Sequence, residues 1–165
     1  MTYAKPQLQP QAQQATPAAR WLASSLTQPA VAGQDWRDGR PAILRTGIVF
    51  DAVRMPQELV HAAVRGTADA TVAAALAATL RGPVIRDPGV WYYALVPPKT
   101  TENWRSLLAT VRGRGSWLGV PRPDRTAPPG IHWSVPPETA GRVCCPDAVA
   151  ELLRLGRQRL DDATP

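Results

Sequence analysis

Pro83-Val84-Ile85-Arg86-Asp87-Pro88-Gly89-Val90-Trp91-Tyr92-Tyr93-Ala94-Leu95-Val96 sets the architecture of this chain. Valine, isoleucine and aromatic residues fill both arms, which suits strands. Asp-Pro-Gly between them is turn chemistry: proline presets one φ and glycine accepts a positive one. The segment reads as an antiparallel hairpin, closed by Pro97-Pro98.

Upstream, Pro56 opens a helix through Arg65 with Leu59, Val60, Ala63 and Val64 facing inward. Asp69 caps a second helix, Thr71 to Leu80, whose alanines allow close packing on a sheet. Before these lie two β-prone runs, Ala42-Ile43-Leu44 and Ile48 to Val53, separated by Thr46-Gly47. Gln28 to Arg40 reads as a loop anchored by Trp36. Thr16-Pro17 is a cap followed by proline at the first helical position, with Ala18, Trp21, Leu22 and Leu26 on one face. Residues 1–15 are rich in Gln, Ala and Pro without apolar period and read as a disordered tail.

Downstream, Glu102 to Val111 reads as a short helix burying Trp104, Leu107 and Leu108. A tight turn at Gly113-Arg114-Gly115 then leads into the strand Ser116 to Val120, ended by Pro121. A loop from Arg122 to Gly130 precedes the strand Ile131 to Val135. Pro146-Asp147 opens the last helix, with Val149, Leu152, Leu153, Gly156 and Leu160 on its buried face. Hairpins mixed with amphipathic helices predict an α+β domain over 16–160, followed by a C-terminal tail over 161–165. The expected core is one mixed or antiparallel sheet with helices packed on it. Its strands are Ile48–Val53, Pro83–Ile85, Val90–Val96, Ser116–Val120 and Ile131–Val135.

A chain of 165 residues with 44% hydrophobic residues has the length and composition to bury a proper core. Its net charge of +6 raises nucleic acid as a partner. Lysine occurs only at Lys5 and Lys99, however, so part of the arginine excess fits the bias of GC-rich coding. The polar N-terminus carries no signal-peptide pattern, and Ala68 to Leu80 is too short to span a bilayer. The expectation is a cytoplasmic protein with no membrane partner. Cys144 and Cys145 are adjacent, which ordinary disulfide geometry does not favour, and they read as reduced small hydrophobes at a helix entrance. With only His61 and His132 to join them, a zinc site lacks ligands. His61 reads as solvent-facing and His132 as a structural residue.

Thr110-Val111-Arg112-Gly113-Arg114-Gly115-Ser116-Trp117 resembles a strand-and-turn element of the primase–polymerase domain of the archaeo-eukaryotic primase superfamily. The resemblance covers roughly Trp36 to Pro137 and implies an α+β fold of that type. In that family two aspartates one residue apart follow a glycine turn, a histidine follows a second turn, and a further aspartate opens the element quoted. Here Thr46-Gly47-Ile48-Val49-Phe50-Asp51-Ala52-Val53 offers Asp51 for the first aspartate and Val53 for the second. Trp91 or Tyr92 stands at the histidine position and Thr110 at the last aspartate. Two-metal nucleotidyl transfer needs clustered carboxylates, so Asp51 alone, a residual metal position, implies no catalytic residues, no bound metal and no cofactor. Outside the resemblance, Asp51 reads as a strand-end residue capping the following helix.

What remains is a basic and aromatic cluster: Trp104, Arg105, Arg112, Arg114, Trp117, Arg122 and Arg125. Guanidinium forks suit phosphate oxygens and tryptophan faces stack on unpaired bases. These residues make nucleic acid or nucleotide the expected ligand of a non-catalytic domain. Two alternatives stand beside it. One is a protein-interaction module of α+β fold. The other is an active nucleotidyl transferase with displaced metal ligands, such as Asp51 with Asp87.

Overall fold

The computed structural model describes residues 15–165. The disordered tail expected over residues 1–15 falls, but for Ala15, outside the described residues. Five helices and seven strands alternate in the order α1 (Pro17–Ala23), α2 (Ala30–Arg37), β1 (Ala42–Arg45), β2 (Asp51–Pro56), α3 (Gln57–Val64), α4 (Asp69–Leu80), β3 (Val84–Asp87), β4 (Trp91–Val96), β5 (Thr110–Arg112), β6 (Trp117–Val120), β7 (His132–Val135) and α5 (Pro146–Asp162). The fold is α+β, and every strand pair is antiparallel.

The strands form two sheets, not the single one expected. Five strands run in the order β5-β2-β4-β3-β7, and β1 pairs with β6 in a separate ribbon. The expected strand Ser116–Val120 therefore leaves the main sheet. The cause lies in its pattern: Leu118 and Val120, with Ala42 and Leu44 of β1, form one apolar side that needs a partner surface. They find it on Ala52, Leu95, Ile85 and Trp133 of the main sheet and on Phe50 just before β2. The ribbon lies across that sheet from edge to edge. At one end Arg112 of β5 donates from Nη1 to the Trp117 carbonyl (3.1 Å), and at the other Trp133 of β7 donates from Nε1 to the Pro121 carbonyl (3.0 Å).

The opposite face of the main sheet carries Val53, Met55, Tyr92, Ala94, Val96 and Val84, covered by α3, α4 and α5. Period-two alternation along each strand thus feeds two cores. Helix α5 buries Val149, Leu152 and Leu153, each contributing about 1.5–3 kcal/mol by burial. At Gly156 it crosses α3 so closely that a Cβ would overlap the Leu59 carbonyl oxygen. The helix runs to Asp162, two residues beyond the expected domain end.

Three local expectations give way to the structure. Gln28 to Arg40 is not a loop: Ala32 and Trp36, one turn apart, give α2 a buried face, and Trp36 donates from Nε1 to the Val120 carbonyl (2.9 Å) as an anchor. Glu102 to Val111 is not a helix. A 3-10 turn at Thr100–Glu102 is followed by loop, because Ser106 Oγ captures the Leu108 N–H (3.2 Å) and Trp104 Nε1 donates to the Ala109 carbonyl (3.1 Å). Trp104 is half-buried there and Leu107 fully exposed. Ile48 to Phe50 form a turn, with the Gly47 N–H donating to the Phe50 carbonyl (2.7 Å), so β2 starts only at Asp51. The Pro83–Val96 hairpin forms as expected about Asp87-Pro88-Gly89, where Gly89 takes a positive φ.

Candidate nucleic-acid interface

Beside the ribbon, part of the main sheet is only half covered: Arg54, Trp91 and Arg112 are half-buried there, while Tyr93 is buried against the ribbon-side core. In that part Arg54 lies between Thr110 of β5 and Tyr93 of β4, and Trp91 lies between Pro56 and Asp87. Arg112 stands in the adjacent row, opposite Ala52. Alternation puts all of these on the face away from Asp51, Val53 and Met55. Cross-strand neighbours then stack: Arg54 Cζ lies 4.3 Å from the Trp91 ring centroid and Arg112 Cζ lies 5.3 Å from that of Tyr93.

Arg112 also ties this face to the ribbon through the Trp117 carbonyl. On the ribbon's outer side, Arg45 and Trp117 are cross-strand partners, with Arg45 Cζ 5.3 Å from the ring, and Trp117 is 49% exposed. Arg114 is exposed in the turn between β5 and β6. That turn is fixed from below. Thr46 donates from Oγ1 to the Gly113 carbonyl (2.5 Å) and from its N–H to the Ser116 carbonyl (3.0 Å). Gly47, at φ +85°, lies so close that a Cβ would overlap the Arg114 backbone.

None of Arg45, Arg54, Arg112 and Arg114 forms an ion pair among the described residues, where the pairs involve Arg40, Arg122, Arg154 and Arg157. Residues 1–14 contain no acid either. Asp87 is the one carboxylate in the rows described. The result is a positive strip holding two tryptophans, with that single carboxylate beside Trp91.

Of the residues singled out in the sequence, Arg112, Arg114 and Trp117 meet here. Arg105 is exposed in the loop at the other end of β5. Arg122 and Arg125 lie beyond Val120, at the far end of the ribbon, in a cleft with Trp36, Arg40 and Pro41. There Arg122 pairs with Asp124 and Arg125 donates to the Pro129 carbonyl, so both are separate from the strip. Sequence reading missed Arg45, Arg54, Trp91 and Tyr93. Alternation along β2 and β4 puts Arg54, Trp91 and Tyr93 on one face, but only strand register makes them neighbours.

Asp51 sits at the start of β2, fully buried on the helical side. It does not cap the following helix, α3; its Oδ2 accepts the Thr101 N–H (3.4 Å) of the 3-10 turn at Thr100–Glu102, and its Oδ1 has no partner. Burial pushes its carboxyl above the usual range, opposed by backbone N–H groups of Thr101, Thr100 and Lys99. Thr110 lies three register positions away, about 10 Å along the strands, and on the other face. Asp87 is also on the other face, about 16 Å along. Among the described residues no three His, Cys, Asp or Glu side chains come together as a metal-binding group.

The histidines are both held. His132 is buried and donates from Nδ1 to the Gly130 carbonyl (3.0 Å). His61 is not solvent-facing: half-buried, it bonds through Nε2 to the Tyr92 hydroxyl (2.8 Å), because the Tyr92 ring reaches under α3. Burial, then the nearby Arg86 charge, lowers its pKa. Of the cysteines only Cys144 is buried, its thiol pushed up to about 12 by burial, while Cys145 is exposed at the start of α5. No helix among the described residues is long and apolar enough to cross a membrane. Comparison of the chain with protein-family models, with curated proteins and with solved structures gives no match.

Proposed function

We propose that the protein binds single-stranded nucleic acid along the strip from Trp91 and Arg54, over Arg112 and Arg114, to Trp117 and Arg45, and that it acts by binding and not by nucleotidyl transfer. The observation that carries this reading is the pairing of each tryptophan with an arginine that has no carboxylate partner. Guanidinium groups left free in this way neutralise phosphates, and an indole beside them offers a base a stacking surface. Stacking needs unpaired bases, so single strands are favoured over duplex. The likeness to primase–polymerase domains agrees with a nucleic-acid ligand. Thr110 and Val53 at two metal positions, with Asp51 and Asp87 on opposite faces, argue for binding without catalysis.

A labelled single-stranded oligonucleotide, titrated at several salt concentrations, tests the reading. Saturable binding that weakens steeply with salt supports it. Absence of binding at low salt refutes it and moves the choice to a protein partner, which Ile43 and Trp117, both about half exposed on the ribbon's outer side, would then contact.

A further inference from the structure

The other face of the same hairpin holds a buried charge that the nucleic-acid strip does not use. Arg86 of β3 stands between Tyr92 of β4 and His132 of β7 on the helical side of the sheet. It is 8% exposed, its Nη1 is buried without a hydrogen-bond partner, and it enters no ion pair among the described residues. A guanidinium in this state is strongly destabilising until a counter-charge reaches it. Its orientation is nevertheless fixed. Cζ lies 4.2 Å from the Tyr92 ring centroid, and the Tyr92 hydroxyl is itself held by His61.

Arg86 lines a cavity of about 240 Å³ shared with Asp69, Ala70, Tyr92, His132 and Ser134. One wall is the first turn of α4, a 12-residue helix whose N-cap, Ala68, supplies no side-chain cap. The N–H groups of that turn have no partner within the helix, and the helix dipole places partial positive charge there. Ser134 adds a hydroxyl. His132 spends its Nδ1–H on the Gly130 carbonyl, so in the neutral ring Nε2 is an acceptor and adds no donor to the cavity. Asp69 is exposed at the rim and forms no ion pair.

We propose that this cavity binds a phosphate-class oxyanion, gripped by Arg86 and the first turn of α4. Donors on β3, β7 and α4 suit a tetrahedral anion with several acceptor oxygens better than a planar carboxylate, which a single guanidinium fork satisfies. The volume lies below the roughly 300–1,000 Å³ of pockets for drug-sized ligands, so the site takes either a free phosphate ion or the phosphoryl end of a larger molecule. It lies on the opposite face from the nucleic-acid strip and does not depend on that reading.

Thermal unfolding of the full chain with added inorganic phosphate at constant ionic strength is the first measurement. Melting temperature is expected to rise saturably, as for any ligand bound only by the folded state. Arg86→Met should lose about tenfold or more in phosphate affinity. Asp69→Asn, which removes a negative charge from the rim, should tighten binding. The Arg112→Ala, Arg114→Ala variant should respond as the wild type does. Should Arg86→Met fail to fold, amide chemical shifts of the wild-type protein decide the matter. Phosphate must move Asp69, Ala70, His132 and Ser134 together. Shifts confined to Arg112 and Arg114, or no phosphate-dependent change at all, would overturn the proposal. Ribose 5-phosphate distinguishes the sources: tighter binding than inorganic phosphate means a phosphoryl group on a larger molecule, weaker binding a free ion.

Discussion

Replacing Arg54 and Arg112 together with alanine removes two of the four unpaired arginines of the strip. Counterion release sets the scale of the effect. With each single-strand phosphate contact contributing about 0.7 to the slope of log affinity against log salt, four contacts give a slope of about −2.8 and two leave about −1.4. At 0.1 M salt the same relation makes the double variant about 25-fold weaker. Losing the Arg54–Trp91 and Arg112–Tyr93 cation–π contacts costs roughly 1–3 kcal/mol of stability, since such a contact is worth about 0.5–1 when exposed and about 2 when desolvated, and Tyr93 is buried. At roughly 2–4 °C per kcal/mol for a domain of this size, the variant still folds at room temperature.

Fluorescence anisotropy of a labelled oligothymidylate over a salt series reads both numbers. The control is Arg122→Ala, Arg125→Ala, which removes the same charge from the far end of the ribbon, where Asp124 and the Pro129 carbonyl already engage those side chains. Its slope should stay near the wild-type value. Equal slopes in the two double variants would show that net charge, and not this strip, drives binding, and the reasoning would fail.

Trp117→Ala should weaken single-strand binding by about 1–3 kcal/mol, the worth of one stacked base, while leaving duplex binding nearly unchanged; equal losses on both substrates would count against stacking. Gly156→Ala should lower stability by about 1–3 kcal/mol in chemical denaturation, because the Leu59 carbonyl it meets is backbone and must be pushed aside; an unchanged midpoint would show that α3 and α5 are not in close contact. Asp51→Asn should be as stable as the wild type or more so at neutral pH. Burial raises the Asp51 pKa in the folded state, so the wild type's stability from this group is greatest below the unfolded pKa and falls as pH rises through the folded one. The variant's advantage should therefore shrink in acid, and an advantage that grows there would contradict the assignment. Primer extension with Mg²⁺ or Mn²⁺ should give no product, whereas template-dependent incorporation that Asp51→Asn abolishes would restore the enzyme reading.

The hairpin at Asp87-Pro88-Gly89 and the terminal helix from Pro146 were legible because local chemistry and burial pattern agree there. The second sheet was not. Nothing in Ser116 to Val120 says whether its apolar side extends a sheet or lies across one, since both bury Leu118 and Val120 alike. The loop after Glu102 misled for a different reason: Trp104, Leu107 and Leu108 have helical spacing, but a serine hydroxyl and an indole N–H close the backbone locally. In the strip, the glycine turn drew attention to Arg112, Arg114 and Trp117. Arg54 and Trp91 are 37 positions apart in sequence and become neighbours only through the pairing of β2 with β4.

That pairing also puts the two proposed sites on opposite faces of one short hairpin. Trp91 and Tyr93 point toward the half-covered face and the ribbon, while Tyr92, between them, points under the helices to Arg86. A strand cannot move one of these side chains to the other face without slipping its register, which would carry Ala94 and Val96 out of the helical core and Tyr93 and Leu95 into it. The two faces are thus mechanically joined, with their side chains on opposite sides of the sheet. Arg86→Met should consequently leave the salt slope of oligonucleotide binding intact, and Arg54→Ala with Arg112→Ala should leave the phosphate-dependent rise in melting temperature intact. If either variant changed both readouts, the anion and the nucleic acid would have to share one site, and the separation of faces drawn from the register would be the step in error.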